Sequence, residues 1–274
     1  MPGLMELLFL LAAWAVVPLG LRLLPESAPL RLARKLQPAF AALVTISFFL
    51  PKGPVAAALA LPWLALNGLV ALGGLLRLRT ALREGIPRLL QLAAMFFPIV
   101  GGIHLVASRY GYPLAGFPEP IILLTAIHFH YTVFAVPILA SLAGRSRLAL
   151  SCGLGVVGGT PIVAAGFLFA PILKIVGVGI LCVSVVGIAI GQLTLVPSRT
   201  GRARALLALS SLSVIAGMIL AGVYEHGFYT GRSWISIPQM TWSHGILNGV
   251  GFSLLGLLAW TAEAPRAADR PVRP

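Results

Sequence analysis

The amino-acid sequence predicts an all-α fold, a polytopic membrane helix bundle of about nine transmembrane helices, with seven to nine as the range. The first observation is composition. Of the 274 residues, 58% are hydrophobic and 10% are charged, and the mean hydropathy is +0.97, far above the values of soluble domains. The second is that the chain divides into apolar stretches near the 20 or so residues that one bilayer crossing needs. The third is the distribution of basic residues among the connections between them.

Nine apolar stretches follow one another, at roughly 5–24, 36–51, 54–76, 86–106, 118–143, 149–169, 172–196, 204–224 and 241–261. The first has Glu6 before its apolar run and Arg22 after it, which favours a retained helix over a cleaved signal peptide. The second is short and is separated from the third only by a turn around Lys52, so seven or eight spans are also possible. We therefore expect a single transmembrane domain over residues 1–262 and a short cytoplasmic tail over 263–274.

The basic residues indicate an orientation. If the N-terminus lies outside, 16 of the 20 Lys and Arg residues fall in inner loops and the tail, and the outer side keeps only Lys52, Arg109, Lys174 and Arg232. The positive-inside rule then predicts an outer N-terminus and an inner C-terminus in an inner (cytoplasmic) membrane. The net charge of +13 does not indicate nucleic acid as a partner, because the charges are spread over loops rather than collected on one face.

All five histidines fall in the predicted outer half or near the midplane, and ionisable groups at that depth indicate a functional site. The expected site is an outward-opening pocket of histidine, tyrosine, glutamate and asparagine. The catalytic candidates are His128, Tyr131, Glu225, His244 and Asn248. The substrate-binding candidates are His130, Thr132, His226, Thr241 and Trp242. The competing interpretation is that these are buried, hydrogen-bonded residues that hold helices together.

Helix geometry constrains this pocket. His128 and His130 are about 200° apart on a regular helix, so they cannot both line one pocket unless the helix is distorted. Pro137 removes a backbone donor and predicts a kink just below them. Small residues at helical spacing in the eighth and ninth stretches, such as Gly217 and Gly245, indicate close helix packing.

No metal and no cofactor are predicted. His128, His226 and His244 with Glu225 could form a zinc-like set, but the chain has no short ligand motif of the His-Glu-x-x-His kind. It also lacks a P-loop and the other nucleotide-binding or nucleophile motifs.

Two strings, "AIHFHYTVFAVP" and "SHGILNGVGFSLLGLLAW" (243–260), carry a resemblance. A His-Phe-His-Tyr run in a middle helix, with a His-Gly-x-x-Asn-x-x-Gly-Phe run opening the last one, is similar to the YndJ-like family of bacterial multi-pass membrane proteins. The resemblance covers most of the chain. It implies one shared site made of His128, His130, Tyr131, His244, Gly245 and Asn248, and it does not supply the reaction.

Two functions are compatible with these observations. The favoured one is an intramembrane enzyme that performs cofactor-free acid–base chemistry, namely isomerisation, cyclisation or epoxide opening, on a lipophilic small molecule. The alternative is a transporter or proton-coupled carrier, against which stands the absence of recognisable inverted repeats in the sequence. The expected partners are the lipid bilayer and that small molecule, and the oligomeric state is left open.

Overall fold

The described chain is a bundle of long helices that alternate in direction. The structure, a computed structural model, describes residues 2–263. Its long helices are α1 Leu4–Leu23, α2 Ala28–Phe49, α3 Pro54–Leu75, α4 Ile86–Tyr110, α5 Ile121–Leu142, α6 Arg147–Leu168, α7 Pro171–Ser198, α8 Gly201–Tyr229 and α9 Ile237–Ala262. All except α2 are long and apolar enough to cross a membrane. The predicted all-α membrane bundle is therefore confirmed.

Helix α2 begins earlier than the apolar pattern predicts, at Ala28, and its 22 residues span about 33 Å. Its early start follows from the turn before it. The hydroxyl of Ser27 accepts from the amide of Leu30 at 3.4 Å, which caps the helix. The Arg34 guanidinium reaches back to the carbonyl of Leu21 at 2.9 Å and binds the Glu26 carboxylate, and this bond holds the pKa of Glu26 below its ordinary value. The charges thus lie at one end of a full-length helix.

The connections define two ends of the bundle. We call one of them the arginine-rich end; it contains the C-terminal end of α9 and the connections 24–27, 76–85, 143–146 and 199–200. The opposite end contains the connections 50–53, 111–120, 169–170 and 230–236. The predicted 263–274 tail lies, apart from Glu263, outside the described residues.

Three helices contain a π-helical segment, in which hydrogen bonds run to the fifth residue. The segments are Ala12–Val16 in α1, Tyr131–Ala135 in α5, and Thr241–Gly245 with Leu247–Leu254 in α9. The segments of the three helices contact one another. The α5 segment ends just before Pro137, where the sequence predicts a distortion. Such segments occur often at functional sites. Here the α9 segment contains His244, and the α5 segment begins directly after His130.

Helix α5 is the most buried of the apolar helices. The largest fully buried side chains of the bundle include Phe9, Trp63, Phe134 and Phe252 from α1, α3, α5 and α9. Helices α6, α7 and α8 are less enclosed. The core therefore lies around α5 and fixes the orientation of its side chains.

Candidate functional site

Two histidines from different helices meet near the opposite end. The imidazole rings of His128 on α5 and His244 on α9 are stacked, with centroids 6.4 Å apart and planes inclined by 30°. Each residue lies seven positions after the first residue of its helix, about 10 Å from that end. His128 is exposed and His244 is half-buried. We call these two residues the histidine pair.

Both rings are held by main-chain carbonyls. Nδ1 of His128 lies 2.7 Å from the Leu124 carbonyl oxygen of the same helix, and Nδ1 of His244 lies 2.9 Å from the Gly217 carbonyl oxygen on α8. A carbonyl only accepts hydrogen bonds, so Nδ1 is the protonated nitrogen in both rings. Each Nε2 is left to accept a proton from a third molecule, or to donate one when the ring is charged.

Gly217 and Asn248 bring α8 and α9 together beneath His244. The Asn248 side-chain amide donates to the His244 carbonyl oxygen at 2.7 Å and lies directly against Gly217. A Cβ atom at position 217 would be 2.5 Å from Asn248 Nδ2. Ser213 and Gly251 are equally close further along the same interface. Glycine is therefore needed at 217 both for the close approach and for the position of the acceptor of His244.

Substituting Gly217 tests this interface. We expect Gly217→Ala to push α8 and α9 apart and to lower the free energy of unfolding by about 1–3 kcal/mol, since the new methyl group overlaps Asn248. Thermal unfolding of the purified protein in detergent measures the loss. Gly222→Ala on the same helix is the matched control, because a Cβ there meets nothing within 4 Å. Equal stability of the two variants would contradict the close contact between Gly217 and Asn248.

Tyr131 joins α5 to α1 and lies beside α9. Its hydroxyl donates to the Leu8 carbonyl oxygen at 2.7 Å, and its ring lies against Gly249. Tyr131 is buried and is the first residue of the α5 π segment. Its hydroxyl proton is thus already used between α5 and α1.

His130 lies on the other side of α5 from the histidine pair. Its Nδ1 donates to the Ala126 carbonyl oxygen at 2.7 Å, and its Nε2 accepts from Trp63 Nε1 at 3.0 Å. The ring is 0% exposed and packs edge-on against Phe9, with centroids 5.1 Å apart. Because both ring nitrogens have partners, His130 joins α5 to α1 and α3.

Comparison with known proteins gives one family that matches most of the chain. The sequence profile of the family described as YndJ-like protein matches residues 7–252. The chain belongs to the YndJ-like family. A relative from Bacillus subtilis (strain 168), named "Uncharacterized membrane protein YndJ", is 29% identical over 215 residues. The aligned region covers 77% of this chain and 39% of the relative, so the chain spans about two fifths of the length of that protein. No solved structure matches the chain.

Glu225 of this YndJ-like protein lies away from the histidine pair, against α7. Its Oε2 is 3.1 Å from the ammonium of Lys174, whose charge also sits 3.6 Å from the ring centroid of Phe228. Glu225 is 7% exposed and Lys174 is 9% exposed. The two oppositely charged side chains form a buried ion pair between α7 and α8.

The other substrate-binding candidates of the YndJ-like chain lie at different depths. His226 is exposed and its ring contacts that of Trp234 at a tilt of 35°, with centroids 5.2 Å apart. Thr132 is half-buried, Trp242 is exposed, and Thr241 is buried with its hydroxyl bonded to the Ile237 carbonyl oxygen at 2.9 Å. Among residues 2–263, no group of three or more His, Cys, Asp or Glu side chains could hold a metal ion.

Several contacts of this YndJ-like protein were not predicted from the sequence. Trp63, the partner of His130, lies in an apolar stretch whose pattern does not single it out. The sequence analysis counts Lys174 and Arg109 among the few cations of the outer side, yet both are buried. Arg109 donates to the carbonyl oxygens of Ser47 at 2.8 Å and Leu50 at 2.9 Å, closing the last turn of α2. The sequence feature that could have indicated their burial is that each is a single cation next to an apolar stretch.

Proposed function

We propose that this YndJ-like membrane protein is an intramembrane enzyme that performs cofactor-free acid–base chemistry on a lipophilic small molecule. The observation that carries the proposal is the histidine pair, two imidazoles from separate helices whose Nδ1 protons are bound by carbonyls. Both Nε2 atoms remain for a substrate. The pair lies about 10 Å along its helices from the end of the bundle, where a molecule dissolved in the bilayer can reach it.

The chemistry follows from two imidazoles at one place. A neutral ring takes a proton from the substrate at Nε2, while a charged partner ring gives its Nε2 proton to another substrate atom. Removal of a proton at one carbon with delivery at another moves a double bond, which is an isomerisation. Removal of a proton from the carbon beside an epoxide, with delivery to its oxygen, breaks one C–O bond and forms a C=C bond, which gives an allylic alcohol. One imidazole gains the proton that the other loses, so the two rings exchange roles and are reset by proton exchange with water before the next turnover.

The substrate class follows from the surroundings of the pair. Trp242 and Val250 on α9 are exposed near His244 along the chain, and Leu124 on α5 precedes His128 by one turn. An apolar body therefore fits this surface, and the single polar group of the molecule, an oxygen function, would meet the imidazoles. Two other predicted site residues lie close by. The Asn248 side-chain amide holds the main-chain carbonyl oxygen of His244, and Thr132 provides a half-buried hydroxyl one turn after His128.

We propose that the protein lies in a bacterial inner membrane. The positive-inside rule favours an orientation with the arginine-rich end in the cytoplasm and the histidine pair towards the outside. If all nine long helices of the described chain cross the bilayer, α2 included, the start of α1 and the end of α9 lie on opposite sides of the membrane. The histidine pair would then be reached from the outer leaflet.

Transport is the second candidate, and one observation favours it. Buried polar side chains continue from the pair towards the arginine-rich end, namely Ser253, Ser211 and Gln192. Gln192 Nε2 and Ser253 Oγ have no hydrogen-bond partner among the residues that the structure describes. A carrier that binds a polar group at the histidines could pass it along these atoms.

The experiment compares wild type with His128→Ala and His244→Ala, each purified and reconstituted into sealed vesicles. The probe is the lipid-soluble extract of bacterial membranes, followed by mass spectrometry. We expect the wild type to convert a component of the extract and each variant to do so at least roughly 100-fold more slowly. Gly222→Ala is the folded control.

The outcomes separate the two candidates. Conversion that survives in both histidine variants would remove the pair from the chemistry. A component that is moved into the vesicle lumen unchanged, in a histidine-dependent way, would replace the enzyme by the carrier. Thermal unfolding of each variant must match the wild type for either comparison to count.

A further inference from the structure

A short helix at the arginine-rich end has two distinct outer flanks. Residues Leu78–Glu84 form this helix between α3 and α4. At about 100° per residue, Leu78 and Leu82 share one flank and Arg79 and Arg83 share the next. Ala81 is buried. The helix therefore lies beside the bundle with its leucine and arginine flanks turned outward.

The leucine flank continues an exposed apolar surface at the end of α3. Leu82 is 62% exposed, and Leu76, just before the helix, is 67% exposed. Exposed leucines at the end of a membrane-spanning helix are placed in the hydrocarbon of the bilayer. The short helix then lies along the membrane surface with its arginine flank at the level of the lipid headgroups.

The two arginines of this flank are not used within the protein. Arg79 and Arg83 are exposed, and neither guanidinium makes an ion pair or hydrogen bond with any residue that the structure describes. Their neighbours differ, since Arg88 binds the Glu84 carboxylate at 2.8 Å and Arg77 donates to the Glu26 carbonyl oxygen at 2.6 Å. Of these four arginines, Arg79 and Arg83 keep their full donor capacity for a partner.

We infer that Arg79 and Arg83, with the leucine flank of the same helix, form a binding site for the headgroup of an anionic phospholipid. Two guanidinium groups one helical turn apart match a phosphate in charge and in hydrogen-bonding geometry, and the adjacent leucines accommodate the acyl chains. The charge complementarity and the apolar flank together select a lipid over a soluble anion. This site is separate from the histidine pair, at the other end of the bundle.

Native mass spectrometry of the full chain, from micelles that contain equimolar phosphatidylglycerol and phosphatidylcholine, tests the inference. The wild type is expected to retain phosphatidylglycerol preferentially. The double variant Arg79→Gln with Arg83→Gln should lose roughly 25-fold of that preference, about fivefold per arginine. Arg79→Lys with Arg83→Lys should keep most of it, because the charge remains.

The control is Arg232→Gln, which removes an exposed arginine at the opposite end and should leave the preference unchanged. An unchanged preference in the Arg79 and Arg83 double variant would overturn the inference and leave these arginines a role in orientation alone. Displacement of the bound lipid by inorganic phosphate at equal concentration would also overturn it, since the site would then recognise the free anion.

Discussion

The His130→Ala variant is expected to lose about 3–5 kcal/mol of unfolding free energy relative to the wild type. The imidazole fills a space between Phe9 and Trp63, and its Nε2 is the acceptor for the Trp63 indole N–H at 3.0 Å. Alanine would leave a cavity and a buried donor with no acceptor. Denaturation of the purified protein in detergent, followed by its tryptophan fluorescence, measures the loss.

His128→Ala is the matched comparison for this prediction. His128 is two residues away on the same helix, but it is exposed and its ring bonds only its own helix, through Leu124. We expect its removal to change stability by less than about 1 kcal/mol. A double-mutant cycle with Trp63→Phe isolates the indole–imidazole contact. Equal losses from the two histidine variants would refute the division between a structural His130 and a functional His128.

The Glu225→Ala variant is expected to lose about 3–5 kcal/mol of unfolding free energy relative to the wild type, because it leaves the buried ammonium of Lys174 without a counter-charge. The ring of Phe228 near that ammonium offsets only part of the loss. Thermal unfolding again provides the measurement. The double variant Lys174→Met with Glu225→Leu should recover most of the stability, since an apolar pair of similar volume needs no desolvation of charge.

The same variants test the sequence-based assignment of Glu225 to catalysis. If the stable double variant retains conversion of the lipophilic component, the carboxylate acts only as half of the ion pair. If conversion disappears while stability recovers, Glu225 contributes to the chemistry. Wild-type stability in Glu225→Ala alone would contradict the ion pair as a stabilising contact.

Much of the fold was predictable because membrane helices depend mainly on continuous runs of apolar residues, which the sequence shows directly. Apolar stretches of bilayer length gave the long helices, and Pro137 indicated the distortion of α5. The early start of α2 could not be predicted, because hydropathy penalises Arg31, Arg34 and Lys35. Arg34 is accommodated by the carbonyl of Leu21, a contact that depends on how two helices meet.

The candidate site was predicted less completely, for a reason visible on α8. The sequence placed Glu225 on the same face as Ser213 and Gly217, at four-residue spacing. Each such step goes past one full turn by about 40°, so the three steps from Ser213 to Glu225 turn the face by about 120°. Ser213 consequently faces α9, while Glu225 faces α7 and Lys174. Short spacings, such as His244 with Asn248, are hardly affected by this drift.

The histidine pair has a consequence for how the protein is made. His128 is synthesised with α5, whereas His244 arrives with α9, the last of the described helices to leave the ribosome. Until α9 inserts, the Gly217 carbonyl lacks its imidazole donor, and the surfaces of Leu8 and Tyr131 that later contact Gly245 and Gly249 are uncovered. Completion of the pair therefore requires insertion of all the described helices from α5 to α9, and a chain stopped before α9 carries only half of the proposed site.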